Sequence, residues 1–460
     1  SGTLNITLGG VTPEGENAVN DLTFAFISGL SRTRLPEPEV SCRIHSKNPP
    51  DFLHELSKLS ISGLNCIAYY NDDVWIKSMK NKGLPEMYAN DYAFDLCQDM
   101  LVPGKVNFYC AGITGFADIL LNTLRQVEDD IDFDLFVDKI KQNVAQHIQN
   151  TLTVNANVAK AVHAFAEGDK SVAQEMIAQN LLSPQQLCEL KSPQQLTSSL
   201  FHGCVEQGGD YTWHYCERGE RGYMFSNLVV GINSVAALRK VVFVDKTYTL
   251  SDVLKACDNN FENNEVMRQI LWNAPKWAND DDFVDLPAKE IIEFACDEIV
   301  KHHTFDGYQY LAGIHQPHPV FAGRNLQATP EGRKKGEPIP VTLSPENGTM
   351  LHGPTAAFQS AAKINPMKSQ WNNCVMLSYF SSTFLGKEGY KLFAKLLTYY
   401  FSIGGTQHQP NVVDVAQLKE AQLHPEEYKN LIVRMWGVSA HFVDLPKDVQ
   451  DEFIARFENI

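Results

Sequence analysis

Up to about residue 112 the chain alternates short apolar runs with longer stretches of helical spacing. LNITLGG (4–10) reads as a strand ending in a glycine turn, and residues 17–32 carry a helical pattern with Asn17 placed to cap it. VSCRIHSK (40–47), LNCIAYY (64–70) and VNFYCAG (106–112) read as further strands. This βαβ rhythm predicts an α/β sheet or barrel. From about 115 to 305 the pattern is mainly helical, with helices predicted at 133–149, 225–240, 249–257 and 287–302 and polar loops at 150–155 and 203–221. Residues 322–348, rich in Gly, Pro, Lys and Arg, read as a long irregular connection. A helix near 354–363, a strand centred on 376–380, a helix at 387–402, a strand at 411–415 and a final helix at 446–457 complete the pattern.

One stretch resists it. LIVRMWGVSAHF (431–442) is mostly apolar and reads as buried, yet its middle is Gly437. A glycine there packs nothing and adds backbone entropy to the unfolded chain. The position needs either an unusual turn or a bare α-carbon.

Composition narrows the functional classes. The 460 residues suit three domains or one large barrel, and 44% hydrophobic with 20% charged residues is ordinary globular usage. The formal net charge of −16 argues against binding a phosphate backbone. No long uncharged apolar run predicts a membrane span, and SGTLNITLGG has no secretory pattern. Ten cysteines are scattered without a CxxC, so reduced thiols and a cytoplasmic setting are expected, without a structural metal. Gly9-Gly10 and Gly404-Gly405 lack phosphate-loop spacing, and His302, His303, His315 and His318 lack the helical carboxylate partners of a metal site.

Two stretches put a carboxylate two residues after a thiol: Cys97-Gln-Asp99, and Cys204-Val-Glu206. Either spacing suits a sulfur reactant beside an acid–base group, though a buried cysteine is usually structural. Cys97 falls on a tight loop between core strands, where barrel chemistry is usually carried. Cys204 falls in a Gly-rich polar segment that reads as surface.

At this point the chain resembles the glycyl radical enzymes. ITLGGVTPEGENAVNDLT (6–23), LPEPEVSCRIH (35–45), AYYNDDVWI (68–76) and ANDYAFDLCQDMLVPGK (89–105) are similar to the family's approach to its cysteine loop and the loop itself. ATPEGRKKGEPIPVTLSPENGTMLHGPTAAFQSAAKI (328–364), GGTQHQPNVVD (404–414) and HPEEYKNLIVRMWGVSAHFVDLPKDVQDEFIARFE (424–458) resemble the region before the radical domain and that domain. The resemblance implies that Gly437 stores a radical and passes it to Cys97, whose thiyl takes a hydrogen from a small-molecule substrate. Without Cβ the radical carbon can flatten between its amide and carbonyl, which share the spin. The VPGK that follows Cys97 favours it over Cys204.

The resemblance further implies no bound cofactor, a radical S-adenosylmethionine activating enzyme as partner, and an anaerobic lyase of dehydratase type. Radical decarboxylation, C–C cleavage, or a non-catalytic repair or scaffold subunit stay open. The pyruvate-cleaving members have paired cysteines, whereas Leu96 precedes Cys97 here. Asp99 stands where eliminating members carry Glu, so it acts as base or only orients. Trp436 stands where a small residue is common. The implied fold is the second half of a ten-stranded barrel ringed by helices. Residues 1–112 would begin that half and carry the cysteine loop, 113–321 form a helical region, and 322–460 complete the barrel and hold the radical domain. A second polypeptide is expected to supply the first half, with a fragment of a longer chain as the alternative, and an oligomer is expected.

Overall fold

The computed structural model describes residues 4–94, 99–106, 110–180, 194–213, 215–316, 318–369, 375–380, 386, 388–435 and 437–458; within these, the side chains of 375–379, 457 and 458 are outside the description. Twelve strands lie among these residues: β1 (Asn5–Gly9), β2 (Glu39–Ile44), β3 (Ile67–Asn71), β4 (Ala93–Phe94), β5 (Met100–Leu101), β6 (Cys110–Gly115), β7 (Arg221–Ser226), β8 (Tyr310–Ile314), β9 (Val375–Phe380), β10 (Gln407–Val412), β11 (Ile432–Arg434) and β12 (Ser439–His441).

They form an α/β fold with two main sheets. The larger runs β1-β2-β3-β10-β9 and the smaller β6-β7-β8; β4-β5 and β11-β12 are separate antiparallel hairpins. All neighbours in the main sheets are parallel except β3 and β10. The described strands do not close into one barrel. β2 and β3 are almost wholly buried, with helices such as Pro50–Ile61 packed beside them; β3 reads as a near-continuous apolar run, whereas β2 alternates apolar residues with the buried Glu39, Ser41 and Arg43. β1, at the edge, is half-buried throughout.

Several predicted bounds shift for identifiable reasons. The first helix spans Asp21–Thr33, and its cap is Asn20, not Asn17: Asn20 Oδ1 accepts from the Leu22 and Thr23 amides while Thr23 bonds back. Asn17 instead bridges Val19 and Asn48. The helix predicted at 133–149 runs on to Ala166, because the predicted polar loop at 150–155 continues the helix. The predicted helix at 225–240 begins as β7, and the helix proper is Leu228–Leu238.

The strand expected at 411–415 begins earlier, at Gln407, where its backbone pairs with both β3 and β9. β10 reads QHQPNV and is buried along its whole length. Buried amides must find partners. Its pairing with β3 covers only Gln407↔Tyr70 and His408↔Tyr69, so Pro410, which has no N–H to donate, lies beyond that ladder. Past that point other groups meet β10. A satellite core of Val413, Leu418, Ala421, Val433, Phe442, Phe453 and Ile454 gathers the C-terminal helices around β11 and β12.

Candidate functional site

β11 and β12 pair in register from Ile432↔His441 to Arg434↔Ser439, leaving a four-residue turn, 435–438. The Met435 amide donates to the Val438 carbonyl across it at 2.9 Å. Gly437 in this turn is buried and has φ +105°, a backbone conformation that any side chain would strain. Local geometry alone therefore accounts for a glycine here, and the same bare carbon sits shielded from water.

Polar groups from three strands hold the turn. Arg434, wholly buried, donates from Nε to Gln409 Oε1 at 2.9 Å and from Nη2 to the Gly437 carbonyl at 3.1 Å, and its Nη1 pairs with the Glu39 carboxylate. Glu39, at the start of β2, also accepts the Ser439 amide. Burial pushes the Glu39 carboxyl up, against the opposing pull of Arg434 and Ser439. Asn411 bonds both backbone groups of Arg434: the Arg434 N–H donates to Oδ1 at 2.7 Å and Nδ2 donates to the Arg434 carbonyl at 2.6 Å. Asn65 donates to the Ile432 carbonyl at 2.8 Å and accepts the Val412 amide at 2.9 Å. The side chains of Asn65 and Asn411 thus replace the ladder that β10 loses after His408.

Of the three predicted site residues, Gly437 and Asp99 are described. Cys97 lies in the segment 95–98, outside the described residues, as does Trp436. The frame around Cys97 is described. β4 and β5 pair as Ala93↔Leu101 and Phe94↔Met100, so Cys97 falls between these two strands in sequence. This hairpin packs into a cluster drawing Ala68 and Tyr70 from the larger sheet and Met224 and Leu311 from the smaller. It therefore sits between the two sheets. Phe94 stacks on Tyr70 at 3.7 Å between ring centroids, and Trp75 meets Phe94 edge-on at 5.4 Å.

Tyr70 joins the two loops. Its hydroxyl accepts from Gln407 Nε2 at 3.0 Å, and the charges of Arg434 and Glu39 both act on it while burial holds the phenol well above its usual range. One face of this side chain thus belongs to the cysteine hairpin and its polar end to the strand that docks the glycine turn. Asp99 is half-buried at the start of β5, and its charge joins burial in pushing the Cys110 thiol up to about 11.

Cys204 is not the surface residue expected. It is 2% exposed, its thiol is pushed up to about 12 by burial, and it packs with Tyr215 and Cys216. Glu206 accepts the Gly203 amide at 2.9 Å. The CVE spacing is thus a capped helical turn over a buried thiol. No group of three or more His, Cys, Asp or Glu that could hold a metal gathers among the described residues. Among them, too, no helix is long and apolar enough to cross a membrane. Sequence reasoning missed Glu39, Asn65 and Asn411. Their only signal is polarity inside apolar or strand-like runs.

A family profile described as "Pyruvate formate lyase-like" matches residues 1–318, and one described as "Glycine radical" matches residues 341–443. The chain is 29% identical to a trans-4-hydroxy-L-proline dehydratase of Clostridioides difficile over 99% of its own length and 56% of the relative's. It is 28% identical to an isethionate sulfite-lyase of Nitratidesulfovibrio vulgaris, over 98% and 54%. The B12-independent glycerol dehydratase of Clostridium butyricum, solved with glycerol bound, superposes with a TM-score of 0.86 at 29% identity, over 98% of this chain and 56% of that one. The chain thus spans just over half the length of these relatives.

Proposed function

Because the chain belongs to the pyruvate formate lyase-like family of glycyl radical enzymes, we propose that it forms the radical-bearing part of a lyase of dehydratase type. Gly437 stores the radical, Cys97 becomes the transient thiyl, and Asp99 handles a proton. The observation that carries this reading is the position of Gly437. It is a buried, positive-φ glycine inside the segment matched as "Glycine radical", docked on the strand that also reaches the cysteine hairpin through Tyr70.

The chemistry runs in balanced steps. A radical S-adenosylmethionine activating enzyme takes a hydrogen atom from the Gly437 α-carbon, leaving one electron there. The Cys97 S–H bond then breaks homolytically, its hydrogen returning to Gly437. The thiyl takes a hydrogen atom from a substrate carbon that bears a hydroxyl or amine. Asp99 accepts the proton of that hydroxyl, and the neighbouring group leaves with its bonding pair. The product radical recovers the hydrogen from Cys97. Dehydration matches the activities that the hydroxyproline and glycerol relatives are named for. The buried turn around Gly437 keeps water from the stored radical.

Full ten-stranded closure is part of this proposal. The test of the radical is anaerobic activation followed by electron paramagnetic resonance. A doublet in the wild type that vanishes in Gly437→Ala is expected. No doublet with an activating enzyme that works on another family member overturns the reading.

A further inference from the structure

The Gly437 turn is clamped from outside its own hairpin. Glu39 uses one carboxylate oxygen on the Arg434 guanidinium and the other on the Ser439 amide. Arg434 and Ser439 are register partners at the two ends of the turn, so one acid from β2 grips both. The Ser439 hydroxyl shares its one proton between Glu39 Oε2 at 3.2 Å and the Asn65 carbonyl at 3.0 Å. Arg434 and Glu39 are, respectively, fully and almost fully buried.

A buried ion pair is a poor way to gain stability, because desolvating both charges offsets most of their attraction. Apolar side chains would seal this seam as well. The guanidinium does something they cannot: its Nη2 donates to the Gly437 carbonyl at 3.1 Å. In a glycyl radical the odd electron is shared between the α-carbon, the amide nitrogen and that carbonyl oxygen. A charge-assisted donor on the oxygen draws spin toward it and keeps the peptide plane fixed. Arg434 can hold this aim only while its own charge is paired. Left alone in a dry seam, it turns toward water.

We infer that Glu39 is a positioning residue for the radical: it fixes Arg434 so that Nη2 stays on the Gly437 carbonyl, and thereby sets the spin distribution and lifetime of the stored electron. Glu39 touches no reacting atom and acts through Arg434. The inference rests on the reading of Gly437 as the radical carrier.

The test compares Glu39→Gln with wild type after anaerobic activation of the full protein, reading the α-hydrogen splitting and the decay of the resonance signal. A changed splitting and about tenfold faster decay are expected, the worth of one charge-assisted hydrogen bond. A folded Glu39→Gln protein with wild-type splitting and decay overturns the inference, since a purely structural rivet would move the melting temperature and leave the spectrum alone. If Glu39→Gln does not fold, Arg434→Lys decides. Its single ammonium cannot reach the carboxylate and the Gly437 carbonyl together, so the same spectral change supports the inference and an unchanged spectrum overturns it. A wild type without a doublet refutes the radical reading itself, a separate result visible before any Glu39 variant is made.

Discussion

At the scale of single residues, the proposed site consists of few reacting atoms and many that hold them. Gly437 stands out in the sequence because a bare residue interrupts an apolar run. The proposal for Cys97 comes from its spacing and the residues that follow it. Glu39 is not legible. It stands in LPEPEVSCRIH as one of two glutamates, and only the fold brings it to Arg434, 395 positions away. Separations of 367 and 347 positions likewise hide Asn65, whose partners lie on β11 and β10. The Cys97–Cys204 choice shows the limit of local spacing: both triplets look alike, the VPGK after Cys97 favours it in the sequence, and the fold adds that Glu206 caps its own turn. The role proposed for Asp99 has a direct check. Asp99→Asn should leave the resonance doublet intact and lower kcat about 100-fold or more, the usual worth of a general base. Turnover with candidate diols and amino alcohols measures it; an unchanged kcat would reduce Asp99 to an orienting group.

Among elements, β10 teaches the most. Gln, His, Gln, Pro and Asn in succession argue against a buried strand by propensity, and the sequence pattern moves the strand four residues downstream. Tertiary partners override that preference. Gln407 donates to Tyr70, Gln409 accepts from Arg434, and Asn411 bonds the Arg434 backbone, so each side-chain amide has at least one bond. The apolar strands β1, β2 and β3 were readable because burial and alternation are local signals. The docking of β11 on β10 was not, since it depends on side chains replacing backbone ladders. Asn65→Ala should therefore strip the Val412 amide of its acceptor and cost about 1–3 kcal/mol, the penalty of a buried unsatisfied donor. Hydrogen exchange checks this: peptides covering 407–413 should exchange faster, while those of the helix Leu250–Asp258 keep their protection. Equal exchange in both regions would mean that Asn65 does not hold the seam.

For the whole molecule, titration behaviour follows from burial. His315, just past β8, is fully buried, and desolvation lowers its imidazole from 6.5 to about 3. Its Nε2 has no hydrogen-bond partner among the described residues. The unfolded chain therefore binds a proton that the folded one refuses. The stability tied to a neutral His315 is complete above pH 6.5 and is lost as pH falls from there toward about 3. His315→Gln should flatten the fall of melting temperature between pH 6.5 and 4.5 relative to wild type, and parallel curves would refute the assignment. The net charge of −16 remains a solvated surface property and gives no reason to seek a nucleic-acid partner.

The seam between β10 and β11 has one more consequence. Oily surfaces in contact can slide by a fraction of a residue with little penalty. A joint in which Asn411 reads both the N–H and the C=O of one chosen residue cannot, because a shift in either direction leaves every mate facing the wrong neighbour. The hairpin is keyed like a cog, so it seats in a single notch or not at all, and the α-carbon it carries is presented at one address within the molecule.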